Sequence, residues 1–533
     1  MKKVLLLSLL SLIFIPAVLQ AASEVKLLDQ WYLLLLGGKQ VGYSHQLTFK
    51  DEQGRFRSEI YERLAVKRLG ESFMISRRDL WLEKETFISL ISEINMNGQL
   101  RRFTAEAQTE GIRIVMESDS SAKKVEKLLP ASDEVLGIFQ AQQRIADVLA
   151  DTGVSTGCDL LADPPAQVCG RDLAQKYLFL SPETMSLEEV SVEIKGFGEL
   201  TDSQGNLYRG IIAEERISPY PAATLIVDKG GRILYSQMSL GLPVEVILLK
   251  EPPGEEEFAE ARDFSELTEL ALLDVASLGI PIAGLADLSG REAQLTSALI
   301  RFRGSGIEQL LRGMAAAAGD LGIRSKNFDS TVRNSAGKEQ GAEILIRAAE
   351  EIRHVKPAAD SHALPEVAAG VYIEDGFHLS LENPLLEPLL AGCLMEERLD
   401  VECLRSLVYS FISNKSTRYA FADVDKILET REGDCTEHSL LLVNLLRVLK
   451  IPARIAYGFV LMDNGFIGHA WSELYYGGHW YWLDPSFPAA ESRRLKLRLG
   501  TIDPAQPVYS QLDIALLIIG GGLKGEIVEW SFD

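Results

Sequence analysis

The segment REGDCTEHSLL, residues 431–441, contains the side chain best placed for covalent chemistry. Cys435 follows Gly433-Asp434 and precedes a long apolar run, so we expect it at the N-terminus of a helix. The helix dipole and the N–H groups there lower the pKa of a thiol from about 8.5 to between about 3.5 and 7.5. The N–H of Cys435 can also donate to an oxyanion, and Gly433 lets a substrate backbone approach closely. This pattern predicts a nucleophilic thiolate, with a buried inert thiol as the alternative.

A nucleophilic thiol needs a base, and His469 is the candidate with an acid in a suitable position. His469 opens the segment HAWSELYY, and Asp484 ends the segment HWYWLD. If Gly477-Gly478 forms a two-residue hairpin turn, Trp471 pairs with Asp484, and His469 is the diagonal neighbour of that acid on the same face. In the alternative register, in which the numbers of paired residues sum to 953, His469 and Asp484 lie directly opposite each other. The carboxylate could then orient the imidazole, as in nucleophilic catalysis by a cysteine, a histidine and an acid.

His438 is the alternative base, because it lies three residues after Cys435 on the same helix face. A side chain at that position points past the thiol more easily than at it. The other histidines have no acid or cysteine pattern nearby, or lie in a turn, which predicts surface or packing roles: His45, His354, His362, His378 and His479. Cys435, His438 and His469 lack the paired spacing of zinc ligands, so we expect no metal and no cofactor. The basic run 493–498 is interpreted as a solvated strand face.

The first residues have the form of an export signal. Lys2-Lys3 precede an apolar run over 4–19, and 20–23 offer a cleavage site, which predicts a signal peptide over 1–22. A retained membrane anchor is the alternative, although the run is shorter than the ~20 residues of a spanning helix. Export to the periplasm or secretion is therefore the predicted location.

Export changes how the five cysteines are interpreted, because thiols in an oxidising compartment tend to pair. Cys158 and Cys169 lie in one Gly/Pro-rich loop, and Cys393 and Cys403 lie between two helical patterns. We predict these two disulfides, each stabilising the fold by roughly 2–3 kcal/mol through loop closure. Cys435 is then left as the thiol.

Several elements must position these side chains. Asn383-Pro384 predicts a helix to about 396, Asp400 predicts a helix to about 414, and a third helix begins at Cys435 and is buried on most faces. Strands follow at 454–462, 466–476 and 479–484, joined by tight turns. Before them, 31–249 has mostly strand-like alternation, with a helical period at 128–149.

The segments GDCTEHSLLLVNLLRVLKIPARIAYGFV and HAWSELYYGGHWYWLDPSF resemble the transglutaminase-like superfamily of papain-like cysteine enzymes. The resemblance covers about 380–490. It implies that Cys435 is the nucleophile, His469 the general base and acid, and Asp484 the orienting carboxylate. Such families complete the oxyanion hole with a side chain upstream of the cysteine, for which Asn414 and Tyr419 are the candidates.

The predicted fold class is α+β, with a papain-like or transglutaminase-like core of a buried helix and an antiparallel sheet after a β-rich N-terminal region. The length of 533 residues favours two or three domains. We expect a β-rich domain at 23–250, a mixed α/β connecting region at 251–375 and a transglutaminase-like catalytic domain at 376–533.

The predicted function is an exported cysteine enzyme that acts on amide bonds through a thioester. A peptidase or amidohydrolase is the first choice; protein-glutamine acyl transfer or deamidation is the second, and an idle peptide-binding or scaffold protein the third. The expected partner is a peptide, a protein or a peptidoglycan peptide. The net charge of −22 argues against nucleic acid and anionic membrane surfaces, and no membrane insertion is expected after signal removal.

Overall fold

The structure is a computed structural model that describes residues 24–68, 71–119, 123–151, 174–182, 184–217, 222–239, 243–252, 279–288, 290–304, 307–320, 333–334, 341–357, 372–395, 398–416, 422–506 and 522–532. The predicted signal peptide, Cys158, Cys169, His362 and Tyr419 lie outside these residues. Strand makes up about 56% of the structure and helix about 18%. The mixed composition and the β-rich N-terminal region are as predicted.

Fourteen strands form one antiparallel sheet in the N-terminal half, in the order β8-β7-β6-β5-β4-β3-β2-β1-β14-β13-β12-β11-β10-β9. They are β1 (Val25–Leu36), β2 (Lys39–Lys50), β3 (Phe56–Arg68), β4 (Glu71–Glu83), β5 (Phe87–Met96), β6 (Gln99–Gln108), β7 (Gly111–Ser118), β8 (Lys124–Pro130), β9 (Ala174–Ser181), β10 (Ser186–Thr201), β11 (Leu207–Ile217), β12 (Ala223–Val227), β13 (Ile233–Ser239) and β14 (Pro243–Leu248). Trp81 on β4 contacts Phe179 on β9 with 5.1 Å between ring centroids. The sheet is therefore curved, and its two end strands, β8 and β9, contribute side chains to one hydrophobic core.

Helix α1 (Ile138–Asp151) packs its apolar face against β9–β12 of this sheet. The helical period predicted from residue 128 is wrong at its start, because Leu128 lies in β8 and pairs with Arg113. The N-terminus of α1 is held by Glu83 on β4, whose carboxylate accepts the N–H groups of Phe139 and Gln140 at 2.9 and 3.1 Å. Tertiary contact with a distant strand thus decides where the helix begins.

A second sheet has the order β17-β18-β16-β26-β15-β23-β22-β25, with β24 paired to β23. Its strands are β15 (Ile280–Ala283), β16 (Leu295–Gly304), β17 (Arg333–Asn334), β18 (Gly341–Arg347), β22 (Ala453–Met462), β23 (Gly465–Tyr476), β24 (His479–Leu483), β25 (Lys496–Ile502) and β26 (Leu523–Phe532). A small sheet contains β19 (His354–Val355), β20 (Leu394–Met395) and β21 (Arg398–Asp400). Strands from the predicted connecting region therefore extend the C-terminal sheet. Helix α2 (Ile307–Asp320) packs on β25.

Four more helices lie among the described C-terminal residues: α3 (Leu386–Ala391), α4 (Val401–Phe411), α5 (Val424–Thr430) and α6 (Cys435–Val448). The run 437–447 of α6 is buried without interruption and packs against β22 and β23. This confirms the predicted buried helix, which begins at Cys435. The strands predicted at 454–462, 466–476 and 479–484 correspond to β22, β23 and β24.

The predicted pairing of Cys393 with Cys403 is present, with an S–S distance of 2.02 Å. It ties the segment after α3 to the first turn of α4, where the Asp400 side chain caps the helix by accepting the N–H of Cys403 at 2.9 Å. The helix predicted over 384–396 is wrong in length, because α3 spans only Leu386–Ala391 before the chain turns into β20. Within the described part of the chain, no helix is long and apolar enough to cross a membrane.

Candidate active site

The N-terminus of α6 is built to hold Cys435. Asp434 caps the helix by accepting the N–H of Thr436 at 2.8 Å, and Glu437 accepts the N–H of Asp434 at 3.0 Å, which completes a capping box. Burial and the neighbouring Asp434 carboxylate raise the pKa of Glu437 well above its usual range. Negative charge beside the thiol is thereby reduced. Cys435 is half-buried and carries a thiol rather than a disulfide.

Gly433 is required by the packing of this helix start. A Cβ at this position would lie 2.3 Å from the Cβ of Glu437, well inside contact distance. The chain just before Cys435 also runs beside Asn414, whose carbonyl accepts the N–H of Gly433 at 3.0 Å and whose side chain donates to Glu432 at 3.1 Å. Of the two oxyanion candidates, Asn414 therefore lies alongside the segment that leads to the thiol.

His469 and Asp484 are in direct contact, with 2.9 Å between Nε2 and Oδ2. The turn at 477–478 sets Tyr476 opposite His479 and Ser472 opposite Leu483, which is the register predicted from the two glycines. Continuing this register puts His469 and Asp484 on one face as diagonal neighbours. Both side chains are buried, and the rings of Trp471 and Phe487 lie 6.2 and 5.3 Å from the imidazole.

Lys496 is a further member of this cluster that the sequence did not indicate. Its Nζ lies 3.0 Å from Oδ2 of Asp484, 3.0 Å from the carbonyl oxygen of Ser492 and 3.2 Å from that of Arg494. Three acceptors require three protons, so the nitrogen is an ammonium. Burial lowers the pKa of Lys496, and the Asp484 carboxylate opposes that effect.

The Asp484 carboxylate accepts hydrogen bonds from both His469 and Lys496 through Oδ2. Its other oxygen, Oδ1, accepts the N–H of Ser486 at 3.2 Å. Burial favours its neutral form, but the charges of Lys496 and His469 outweigh burial and hold the pKa of Asp484 well below its usual range. A carboxylate that only accepts requires His469 to donate through Nε2. In neutral His469 the lone pair then lies on Nδ1, which is the nitrogen available to a thiol.

The helix of Cys435 is tied to the strand of His469. The hydroxyl of Ser472 on β23 donates to the carbonyl of Ser439 on α6 at 3.1 Å, and the hydroxyl of Ser439 donates to the carbonyl of Cys435 at 2.7 Å. The charge of Asp484 also reaches His438, one turn into the helix. His469 and Asp484 are thus hydrogen-bonded directly to each other. Cys435 is linked to the sheet that carries His469 through hydrogen bonds to backbone carbonyls of α6.

His438, the alternative base, has both ring nitrogens engaged. Nδ1 lies 2.5 Å from the carbonyl oxygen of Asp434, to which it donates, and Nε2 lies 2.5 Å from Nζ of Lys415. Burial, followed by the charge of Lys415, lowers the pKa of His438 to about 4. Partial burial also lowers the pKa of Lys415 to about 8. This geometry holds His438 neutral with its lone pair occupied.

Residues 397–485 match a family model described as the transglutaminase-like superfamily. This C-terminal region belongs to the transglutaminase-like superfamily. The matched range includes Cys435, His469 and Asp484, whereas Lys496 lies eleven residues beyond its end. The transglutaminase-like region is therefore the part of the chain in which the predicted site residues lie.

Comparison with curated proteins gives no match. Among solved structures, a beta-barrel-like protein of a domain of unknown function from Brucella abortus is 8% identical, with a TM-score of 0.30, and the alignment covers 42% of this chain and 95% of that one. A protein from Cytophaga hutchinsonii described as a "Putative Cysteine Protease" is 13% identical, with a TM-score of 0.24, and the alignment covers 45% of this chain and 86% of that one.

Two features of the C-terminal part of the chain were not predicted from the sequence. The interpretation of 493–498 as a solvated face is wrong, because Lys496 and Arg498 are only 4% and 0% exposed. Each is neutralised by a buried acid, Lys496 by Asp484 just after β24 and Arg498 by Glu473 on β23 at 2.7 Å. The signal available in the sequence was that Glu473 and Asp484 lie on the same face of the β23–β24 hairpin as His469.

The second feature is a buried pair, since Nδ1 of His378 lies 2.6 Å from Oδ1 of Asp423. These two residues are far apart in the chain, so no local pattern connects them. The hydroxyl of Ser118 on β7 also donates to Asp423 at 3.4 Å. The pair therefore lies where the N-terminal sheet meets the transglutaminase-like region. Among the described residues there is no group of three or more His, Cys, Asp or Glu that could hold a metal ion.

Proposed function

We propose that this protein is a cysteine enzyme that cleaves amide bonds through a thioester at Cys435. His469 takes the proton of the Cys435 thiol, the thiolate attacks the carbonyl carbon, and the oxyanion accepts a hydrogen bond from the N–H of Cys435. The C–N bond then breaks as His469 gives that proton to the leaving amine. Water attacks the thioester while His469 takes a proton from it; the C–S bond breaks, a carboxylic acid is released, and His469 returns the proton to the sulfur.

The single observation that carries this proposal is the His469–Asp484 hydrogen bond on the strand against which the helix of Cys435 packs. Asp484 orients the ring and selects the tautomer with its lone pair on Nδ1. Cys435 has the field of a capped helix N-terminus, which favours the thiolate. Nucleophile, base and acid would then act as one unit on a peptide, a protein or a peptidoglycan peptide in the periplasm or outside the cell.

The first test measures thiol activation and needs no substrate. We expect iodoacetamide to label Cys435 at pH 6 about tenfold or more faster than a model thiol, because a lowered pKa raises the thiolate fraction. His469→Ala and Asp484→Asn should slow labelling. The exposed His354 offers a matched control, since His354→Ala should leave the rate unchanged. Cys435→Ala provides the background from other thiols, and a wild-type rate equal to that of a model thiol would refute the proposal.

The second test separates hydrolysis from acyl transfer. Peptide and peptidoglycan-peptide libraries are incubated with wild type or Cys435→Ala in ¹⁸O-labelled water, with and without a primary amine. Hydrolysis places ¹⁸O in a new carboxylate, whereas transfer adds the mass of the amine. We expect ¹⁸O incorporation that depends on Cys435. Amine adducts without hydrolysis would show that the activity is acyl transfer and not hydrolysis.

A further inference from the structure

We propose that the N-terminal sheet positions Cys435, because it holds two segments, 375–379 and 422–423, that in turn hold Glu437 of the capping box. Glu437 is then a positioning residue, and the sheet acts on the thiol through it. The inference rests on the proposed function, because it concerns how the nucleophile of that reaction is held. It gives the first half of the chain a part in the reaction, although the range that matches the superfamily begins at residue 397.

Lys123, the residue before β8, holds the first of these segments. Its Nζ donates to the carbonyl oxygens of Gly376 and Leu379 at 3.0 and 2.6 Å. The same nitrogen lies 2.6 Å from Oδ1 of Asp375, so three acceptors face the three protons of the ammonium. Phe377, in the middle of the segment, is 1% exposed and belongs to the hydrophobic core of the N-terminal sheet. A cation and an apolar side chain therefore attach this segment to the sheet.

Asp423 joins the two segments to each other and to the sheet. Its Oδ1 lies 2.6 Å from Nδ1 of His378, and its Oδ2 accepts the hydroxyl of Ser118 on β7 at 3.4 Å. The N–H of Val424 also donates to the carbonyl of His378 at 3.0 Å. The side chains of His378 and Asp423 are 0% and 4% exposed, so bulk water does not compete for these contacts. The position of the second segment therefore depends on the first segment and on β7.

Glu437 connects the second segment to the residue that precedes the thiol. Its Oε1 accepts the N–H of Ala422 at 2.9 Å, and its Oε2 accepts the N–H of Asp434 at 3.0 Å. Glu437 is 0% exposed. A buried polar group that loses one partner must find another or remain unsatisfied at a cost. A shift of Ala422 is therefore expected to displace Glu437 and to open the capping box at Cys435.

A second contact ties the first segment to the body of the same helix. The N–H of Ser380 donates to Oδ1 of Asn444 on α6 at 2.8 Å, and the amide of Asn444 donates back to the carbonyl of Ser380 at 3.4 Å. Asn444 is 0% exposed. Glu437 thus holds the first turn of α6 while Asn444 holds a later turn. Both contacts lead back to residues that the N-terminal sheet fixes.

The test compares iodoacetamide labelling of Cys435 at pH 6 in variants of this junction that touch neither the thiol nor its base. Lys123→Met removes the cation, and Ser118→Ala is a milder change that serves where Lys123→Met fails to fold by circular dichroism. Lys124→Met is the matched control, because Lys124 is the next residue and pairs with Glu117 on the surface at 3.3 Å. We expect labelling to slow about fivefold with Lys123→Met and about twofold with Ser118→Ala, as for a weakened helix cap. The control should label as wild type does.

Two further measurements separate positioning of the thiol from a general loss of stability. Amide hydrogen exchange of the peptide 431–441 should become faster in Lys123→Met, whereas exchange of β22 at 453–462 should stay unchanged. In a double-mutant cycle, Lys123→Met combined with Glu437→Gln should label no more slowly than Glu437→Gln alone, because both changes act through one link. Additive slowing in the cycle, or wild-type labelling in folded Lys123→Met and Ser118→Ala, would overturn the inference.

The proposed function fails separately from this inference. A wild-type protein that labels no faster than a model thiol would refute the proposed function, yet hydrogen exchange would still test the junction, because exchange needs no reactive thiol. Faster exchange at 431–441 in Lys123→Met would then support the link between the sheet and α6. Unchanged exchange in the folded variant would overturn it.

Discussion

Lys415 places its ammonium nitrogen 2.5 Å from Nε2 of His438. Because Nδ1 of this ring donates to the carbonyl of Asp434, Nε2 carries the lone pair, and Lys415 donates to it. We therefore expect His438→Gln to leave iodoacetamide labelling of Cys435 within about threefold of wild type, whereas His469→Ala slows it by about tenfold or more. Parallel labelling at pH 6 checks this. Equal losses in the two variants would reopen His438 as the base.

His438 also predicts how stability depends on pH. Its pKa is near 6.5 in an unfolded chain and about 4 in the folded protein. Between these values the unfolded state binds more protons, so the free energy of unfolding falls as the pH drops from about 6.5 to 4, by up to about 3 kcal/mol from this group. Urea unfolding at pH 4.5 and 7.5 measures the change. His438→Gln should show a smaller pH dependence, and an identical one would contradict the assignment.

Asp484→Asn should destabilise the protein more than an ordinary polar substitution. It leaves the buried ammonium of Lys496 without its carboxylate, and breaking a buried pair from one side costs about 3–5 kcal/mol. The double variant Asp484→Asn/Lys496→Met should recover most of that stability, yet remain slow in thiol labelling because His469 has lost its orienting acid. Chemical unfolding and labelling of Asp484→Asn, Lys496→Met and the double variant check this, and additive losses in stability would speak against the pair.

Gly433→Ala should disturb the start of α6. The new Cβ would lie 2.3 Å from the Cβ of Glu437, and relieving such an overlap costs about 1–3 kcal/mol. Displacing Glu437 opens the capping box, so Cys435 should label more slowly at pH 6. Gly392→Ala is a matched control, because a Cβ at Gly392 meets nothing within 4 Å. A stable and fully reactive Gly433→Ala protein would show that the cap does not set thiol reactivity.

If both predicted disulfides form, the protein has one thiol, that of Cys435. Peptide mapping without reductant should recover Cys393 linked to Cys403, as in the structure, and Cys158 linked to Cys169, which stays a prediction. Cys403→Ser should lower the free energy of unfolding by roughly 2–3 kcal/mol, because the bond closes a loop with a sequence separation of 10. Recovery of Cys435 in a mixed disulfide with one of these cysteines would contradict the assignment.

Much of the transglutaminase-like region could be predicted because its signals are local. The cap at Asp434, the apolar run after Cys435 and the two-residue turn at 477–478 involve residues only a few positions apart. A two-residue turn sets the pairing register, and the register puts His469 beside Asp484. The sequence by itself therefore determined this pair, and also the helix terminus that carries the thiol.

Tertiary structure alone decided which charges are buried. The sequence of 493–498 has the composition of a solvated face. In the structure, however, Lys496 is buried and paired with Asp484, the residue directly after β24. The pairing of Lys415 with His438 and of His378 with Asp423 likewise joins segments that no local pattern connects. Burial of a charge depends on every element folded over it, and its pKa depends on the distance to a counter-ion. Neither quantity can be obtained from the spacing of residues along the chain.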